Sequence, residues 1–114
     1  MAQAKTLSQV ELDQVLNYIS TKKYALRDRA IILTSFLGGL RVAEIASLKM
    51  GDVVNPDGTI KNEIRLTAEQ TKGKHPRTVF ISQRLQNELA NYLTTRHIKD
   101  PSIPFFHTYN RLGF

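Results

Sequence analysis

Two stretches of this sequence gather side chains able to handle a phosphate group. The first is Gly38-Gly39-Leu40-Arg41-Val42-Ala43-Glu44-Ile45. An arginine one residue beyond a double glycine is expected in the first turn of a helix. There, unpaired backbone N–H groups and the helix dipole already favour anions. Its planar guanidinium can hold two oxygens of one phosphate. Glu44, three residues on, is then expected to anchor that guanidinium in a single rotamer. The same spacing also describes an exposed i,i+3 ion pair worth about a few tenths of a kcal/mol. By spacing alone the plainer reading is the favoured one.

The second stretch is Thr71-Lys72-Gly73-Lys74-His75-Pro76-Arg77. Lys72, Lys74, His75 and Arg77 put four basic or potentially basic groups on what reads as a hairpin tip. Such a tip can reach backbone phosphates, and a lysine on it can protonate a leaving oxygen. It can equally be a solvated turn whose lysines discourage edge-to-edge pairing of strands. Other chemistries find little support. His75, His97 and His107 are too far apart for a local metal pattern, there is no cysteine, and no HExxH or EF-hand spacing occurs. No GxGxxG, Walker A or GxSxG motif is present, so neither a metal nor a cofactor is expected. Tyr18, Tyr24 and Tyr92 fall in helical patterns and are expected to pack.

Positioning these stretches requires a mixed architecture. Ser8 with Glu11 forms a capping box, stapled by Leu7 and Leu12, and Leu12, Val15, Leu16 and Ile19 repeat at helical spacing. A second helix is predicted from about Tyr24 to Leu37, with Leu26, Ala30, Leu33 and Leu37 as its stripe. Ile31, Ile32 and Phe36 make it apolar nearly all round, as a central helix is. Gly38-Gly39 ends it. A third helix is expected from Arg41 to Lys49, with Val42, Ile45 and Ala46 on one face.

The period then changes. Val53-Val54 suggests a strand start, Asn55-Pro56-Asp57-Gly58 a turn, and Ile60, Ile64 and Leu66 a second strand region. Thr78 to Ile81 reads as a third. Ser82 caps a last helix carrying Leu85, Leu89, Tyr92 and Leu93, and the apolar Asp100 to Phe106 follows as an extended segment. The expected class is α+β: mainly helical, with a small antiparallel sheet of two to three strands.

Composition narrows the partner. With 16 Lys and Arg against 10 Asp and Glu the formal charge is +6, which raises the weight of a polyanionic partner such as DNA. No apolar run approaches the ~20 residues of a membrane span, and residues 1–9 lack a secretory signal, so no membrane association and a cytoplasmic location are expected.

Taken together, in this order, the two stretches resemble the tyrosine recombinase or phage integrase family. Its first catalytic box reads T/G-G-L-R-x-x-E-L/I-x-x-L and is followed by an aspartate and an apolar residue. Gly38 to Leu48 and then Asp52-Val53 fit it. Leu7-Ser8 with Glu11 and Arg27-Asp28-Arg29-Ala30 match the usual entry to that domain, and Thr71 to Arg77 is similar to its lysine hairpin. The resemblance implies that Arg41 is the first catalytic arginine, Glu44 its acidic support and Lys72 the general acid for the 5′-oxygen. Thr71, Lys74, His75 and Arg77 become candidate DNA contacts. It implies double-stranded DNA as partner, a homo-oligomer on DNA, breakage and rejoining of strands, and no metal or nucleotide consumed.

The family's His-x-x-Arg box is not matched, since His97 is followed by Asp100 and His107 by Asn110 at that spacing. Tyr109 lacks the nucleophile's context, and no N-terminal DNA-clamp domain is recognisable. Residues 1–114 are therefore expected to form a partial catalytic domain, inactive alone. An alternative is a non-enzymatic helix-turn-helix regulator, with Gly38-Gly39 as the turn and Arg41 to Leu48 as recognition helix. A plain interaction domain with a solubilising basic tip is a third reading.

Overall fold

The computed structural model of the chain describes residues 8–21, 24–71, 73–96 and 99–106. Lys72, His97, His107 and Tyr109, and the stapling Leu7, lie outside the described residues. Helix α1 spans Gln9–Ile19 and starts on the expected capping box. The Ser8 hydroxyl accepts from the Glu11 amide at 3.1 Å, and the Glu11 carboxylate accepts from the Ser8 amide at 2.9 Å. Two of the helix's orphan donors are thereby satisfied, a cap worth about 1 kcal/mol. Leu12, Leu16 and Ile19 face the core. Tyr18, expected to pack, lies on the opposite face and is 64% exposed.

Helix α2 (Ala25–Gly38) is the central helix and packs chiefly on helix α5 (Gln83–Leu93). Its buried residues are Arg27, Ala30, Leu33 and Thr34, so the stripe is rotated from the expected one and Leu26 is 41% exposed. The buried Thr34 hydroxyl is satisfied by donating to the Ala30 carbonyl at 2.6 Å. An Arg29–Glu88 ion pair at 3.0 Å ties α2 to α5. Helix α5 begins, as expected, on Ser82, whose hydroxyl accepts from the Leu85 amide, and it buries Leu85, Leu89 and Tyr92. Tyr92 packs against Phe105 and Phe106, with ring centroids 5.4 and 5.3 Å away, and these rings close one end of the core.

Between α2 and the sheet the chain differs from its expected outline. One helix was expected from Arg41 to Lys49; instead α3 covers Val42–Ala46, and a separate α4 covers Met50–Val53. The Ser47 hydroxyl donates back to the Glu44 carbonyl at 2.6 Å and Lys49 is extended, which breaks the helix in two. Asp52 caps α4 by accepting from the Lys49 amide at 2.9 Å, so Val53 is helical where a strand start was expected. Val54 makes only an isolated bridge to Ile60. In the intervening turn the Thr59 hydroxyl and amide both donate to Asp57, holding its carboxyl below the ordinary aspartate range.

Strands β1 (Glu63–Leu66) and β2 (Arg77–Phe80) pair antiparallel, with Ile64 opposite Val79 and Leu66 opposite Arg77. Ile64, Leu66 and Val79 point into the core, while Phe80 is exposed. The fold class is α+β with a two-stranded antiparallel sheet, as the sequence implies. The segment after α5 folds back along the α3–α4 junction: Phe105 donates to the Leu48 carbonyl at 2.9 Å, and Met50 to the Ile103 carbonyl at 2.8 Å.

Candidate functional site

Arg41 is delivered by a turn whose backbone is held at several points. Gly39 takes φ +72°, the left-handed conformation that ends α2. At Gly38 a Cβ would stand a tight 3.1 Å from a Leu40 methyl, which would have to give by a few tenths of an ångström. Leu40 is buried and pins the turn to the core. Arg41 follows as the N-cap of α3, extended and exposed, and not within the first helical turn as expected. Its amide is not available to an anion, because it donates to Glu44 Oε1 at 3.0 Å.

Glu44 is 1% exposed, which demands partners for its charge. The expectation was that it anchors the Arg41 guanidinium; its bidentate partner is Arg77. Arg77 Nη1 donates to Oε2 at 2.8 Å and Nη2 to Oε1 at 2.9 Å. The physical reason is geometric. Register places Arg77 at the start of β2, over α3, where its fork meets the buried carboxylate face on. Arg77 Nη2 also donates to the Gly39 carbonyl at 3.3 Å. The Glu44–Arg77 pair thus grips the turn on both sides of Leu40, fixing the point from which the Arg41 side chain departs. On the expected face of α3, Ile45 is buried but Val42 and Ala46 are exposed, because burial follows Glu44, Ile45 and Leu48.

The second stretch is not a tight hairpin. A short 3₁₀ turn, Ala68–Gln70, intervenes after β1. Thr71 is buried and its hydroxyl donates to the His75 carbonyl at 2.9 Å, closing the tip on itself. That gives Thr71 an internal role in place of an outward one. Lys74, not Gly73, adopts a left-handed φ of 61°, and its amide donates to the Thr71 carbonyl at 3.2 Å. Lys74 and His75 are exposed, and Arg77 shows 41% of its side chain beside the clamp.

Sequence reading missed Gln70. Its Nε2 donates to the Ser47 carbonyl at 3.2 Å, the Ser47 hydroxyl at 3.3 Å and Asp52 Oδ2 at 3.2 Å, while its Oε1 accepts from the Thr67 amide at 2.9 Å. The spacing from Gln70 to Thr67 is a local cap signal; its reach to Ser47 and Asp52 has no local signal at all.

Of the expected site residues, Glu44 and Arg77 are in contact and hold the backbone of Arg41, whereas Lys74 and His75 sit on the separate exposed tip. Surface grooves of about 560 and 730 Å³ are lined by other residues, Asp52, Lys61 and Arg65 among the first and Met50, Leu93 and Arg96 among the second. Arg41 stands on exposed surface outside both grooves. Helix α3, at five residues with Glu44 sunk beneath it, is too short for the recognition helix that the helix-turn-helix alternative requires. Among the described residues no helix is long and apolar enough to cross a membrane.

Comparisons with known proteins bear on the family and the fold. Transposase A from transposon Tn554 of Staphylococcus aureus is 30% identical over 94 residues, covering 80% of this chain and 25% of that protein. Tyrosine recombinase XerA of Pyrococcus furiosus is 35% identical over 97 residues, covering 85% of this chain and 31% of that protein. The chain therefore spans about a quarter to a third of the length of these relatives. In fold it is similar to a crystal structure of XerA recombinase, with a TM-score of 0.67 and 24% identity over 97% of this chain and 36% of that one. The model of the Phage integrase family matches residues 5–108, nearly the whole chain, and the chain belongs to that family.

Proposed function

We propose that this chain binds double-stranded DNA and contributes part of the site at which a tyrosine recombinase breaks and rejoins strands. The observation that carries the reading is an exposed arginine on a turn gripped by a buried carboxylate and a second arginine, with a basic segment leading into that same second arginine. Phosphoryl transfer is chiefly positioning and charge stabilisation, and a guanidinium whose backbone cannot drift is suited to both.

In this reading Arg41 holds the scissile phosphate and stabilises charge as the pentacoordinate state forms. Glu44 with Arg77 positions it, and Lys72 protonates the departing 5′-oxygen. Lys74 and His75 contact flanking phosphates. No tyrosine of the sequence stands in the nucleophile's setting and no His-x-x-Arg is present, so the nucleophile and the remaining phosphate ligands come from residues other than these 114. Binding should be weak, insensitive to sequence and steeply salt dependent.

Fluorescence anisotropy with two unrelated duplexes at low and moderate salt tests the binding. A preference for one duplex that persists at high salt sinks the reading. Incubation with a nicked duplex that traps cleaved ends should leave no covalent adduct with the chain alone. An adduct abolished by Tyr109→Phe would show a complete enzyme instead.

A further inference from the structure

The basic segment between β1 and β2 is attached at both of its ends, to α3 on one side and to the α3–α4 junction and α4 on the other. On the β2 side Arg77 is held by Glu44. On the β1 side Gln70, the residue before Thr71 and Lys72, is held by Ser47 and Asp52. We infer that Gln70 is a positioning residue that sets where the basic tip, with its exposed Lys74, stands relative to Arg41. The inference rests on the DNA-handling reading above.

The orientation of the Gln70 amide follows from its neighbours. The Thr67 amide can only donate, so it faces Oε1; the Ser47 carbonyl and the Asp52 carboxylate can only accept, so they face Nε2. Each partner is itself restrained. Asp52 Oδ2 also accepts from the Lys49 amide as the cap of α4. Ser47 donates its hydroxyl to the carbonyl of Glu44, the residue that holds the Arg41 amide. A continuous polar path thus runs from Gln70 through Ser47 and Glu44 to the support of Arg41. Contacts 18 and 23 residues apart in sequence leave the base of the segment little freedom to move against α3.

Leucine at this position would match the size of glutamine and remove every one of these bonds. Among the described residues, what remains on the β1 side of the segment, the Thr71 hydroxyl and the backbone amides of residue 70, Thr71 and Lys74, bonds within the segment and not to α3 or α4. Cations on the tip could no longer meet phosphates at the same moment as Arg41.

The test uses the chain itself and a short fluorescein-labelled duplex titrated over a range of salt. Each phosphate contact contributes about 0.9 to the slope of log K against log salt, so loss of one weakens binding roughly eightfold at 0.1 M salt. Gln70→Leu is expected to lower the slope by about one, and the affinity accordingly, with little change in melting temperature. In a Lys72→Ala/Lys74→Ala background it should have no further effect, since it acts through those cations. A tie that served only the fold would lower the melting temperature and leave the slope alone. Should Gln70→Leu melt early, Gln70→Met, unbranched and of similar length, carries the same comparison. An unchanged slope, or an equal further loss in the lysine-free background, overturns the inference while the effects of Arg41→Ala and Lys72→Ala/Lys74→Ala uphold the DNA reading. If those variants bind as the parent does, the DNA reading falls and this inference with it.

Discussion

The turn before α3 and the tip between β1 and β2 are both basic and both exposed, yet they are built by different means. At the turn, a buried carboxylate and Arg77 hold the backbone from a strand 33 residues away. At the tip, the bonds are local: Thr71 to His75, and Lys74 to Thr71. Among its described residues, Gln70 and Arg77 at the bases of its arms reach across, to Ser47 after α3 and to Glu44 within it. The difference teaches where precision comes from. A buried charge has few low-energy arrangements, so whatever it grips is placed reproducibly. A tip closed by its own hydroxyl and amide keeps its shape while its placement is set by its two ends. One region is suited to fixing a phosphate and the other to approaching it.

Removing the buried charge should break the comparison most severely. Glu44→Ala leaves Arg77 and the Arg41 amide without their common partner, and a cost of about 3 kcal/mol is expected. Urea denaturation of the purified chain measures it; a loss under about 1 kcal/mol would mean that the clamp contributes little to the turn. Next in size is Arg77→Lys. An ammonium keeps the charge but cannot span both carboxylate oxygens and the Gly39 carbonyl, so a loss of about 1–2 kcal/mol is expected in the same assay. Full stability in Arg77→Lys would show that charge alone, without the planar fork, holds Glu44.

The tip should respond more gently and in the other direction. Lys74 stands at φ 61°, a conformation costing a side chain roughly 1 kcal/mol, so Lys74→Gly should gain up to about 1 kcal/mol while losing one cation. A destabilised Lys74→Gly would indicate that the lysine side chain is anchored and the tip less local than described. Smallest on the fold should be Arg41→Ala, within about 0.5 kcal/mol, because the residue is exposed and its amide remains to bond Glu44. Its effect belongs to binding, as a salt slope reduced by about one in the anisotropy titration. If Arg41→Ala unfolds the chain, the arginine is structural and the contrast between held turn and holding clamp disappears.

Much of this molecule is determined locally and is therefore legible in the sequence. Ser8 and Glu11 cap α1, and Ser82 caps α5, because a side chain bonding a backbone amide three residues away needs no distant partner. Apolar spacing places Leu12, Leu16 and Ile19, and later Leu85, Leu89 and Tyr92, on buried faces. The double glycine marks the end of α2 since the left-handed φ at Gly39 is a backbone demand. The split between α3 and α4 escaped because Ser47 and Asp52 stop and restart helices more strongly than Val53-Val54 favours a strand.

Tertiary structure alone decided which cation meets Glu44. In sequence Arg41 is the nearer candidate at three residues; in space the register of β1 with β2 brings the Arg77 fork onto both carboxylate oxygens. It likewise decided that Gln70 bonds Ser47 and Asp52. A hydrogen bond spanning 18 to 33 residues leaves no periodic trace. It depends on where separately encoded elements come to rest once their apolar faces are buried, and the polar partners are chosen by that packing.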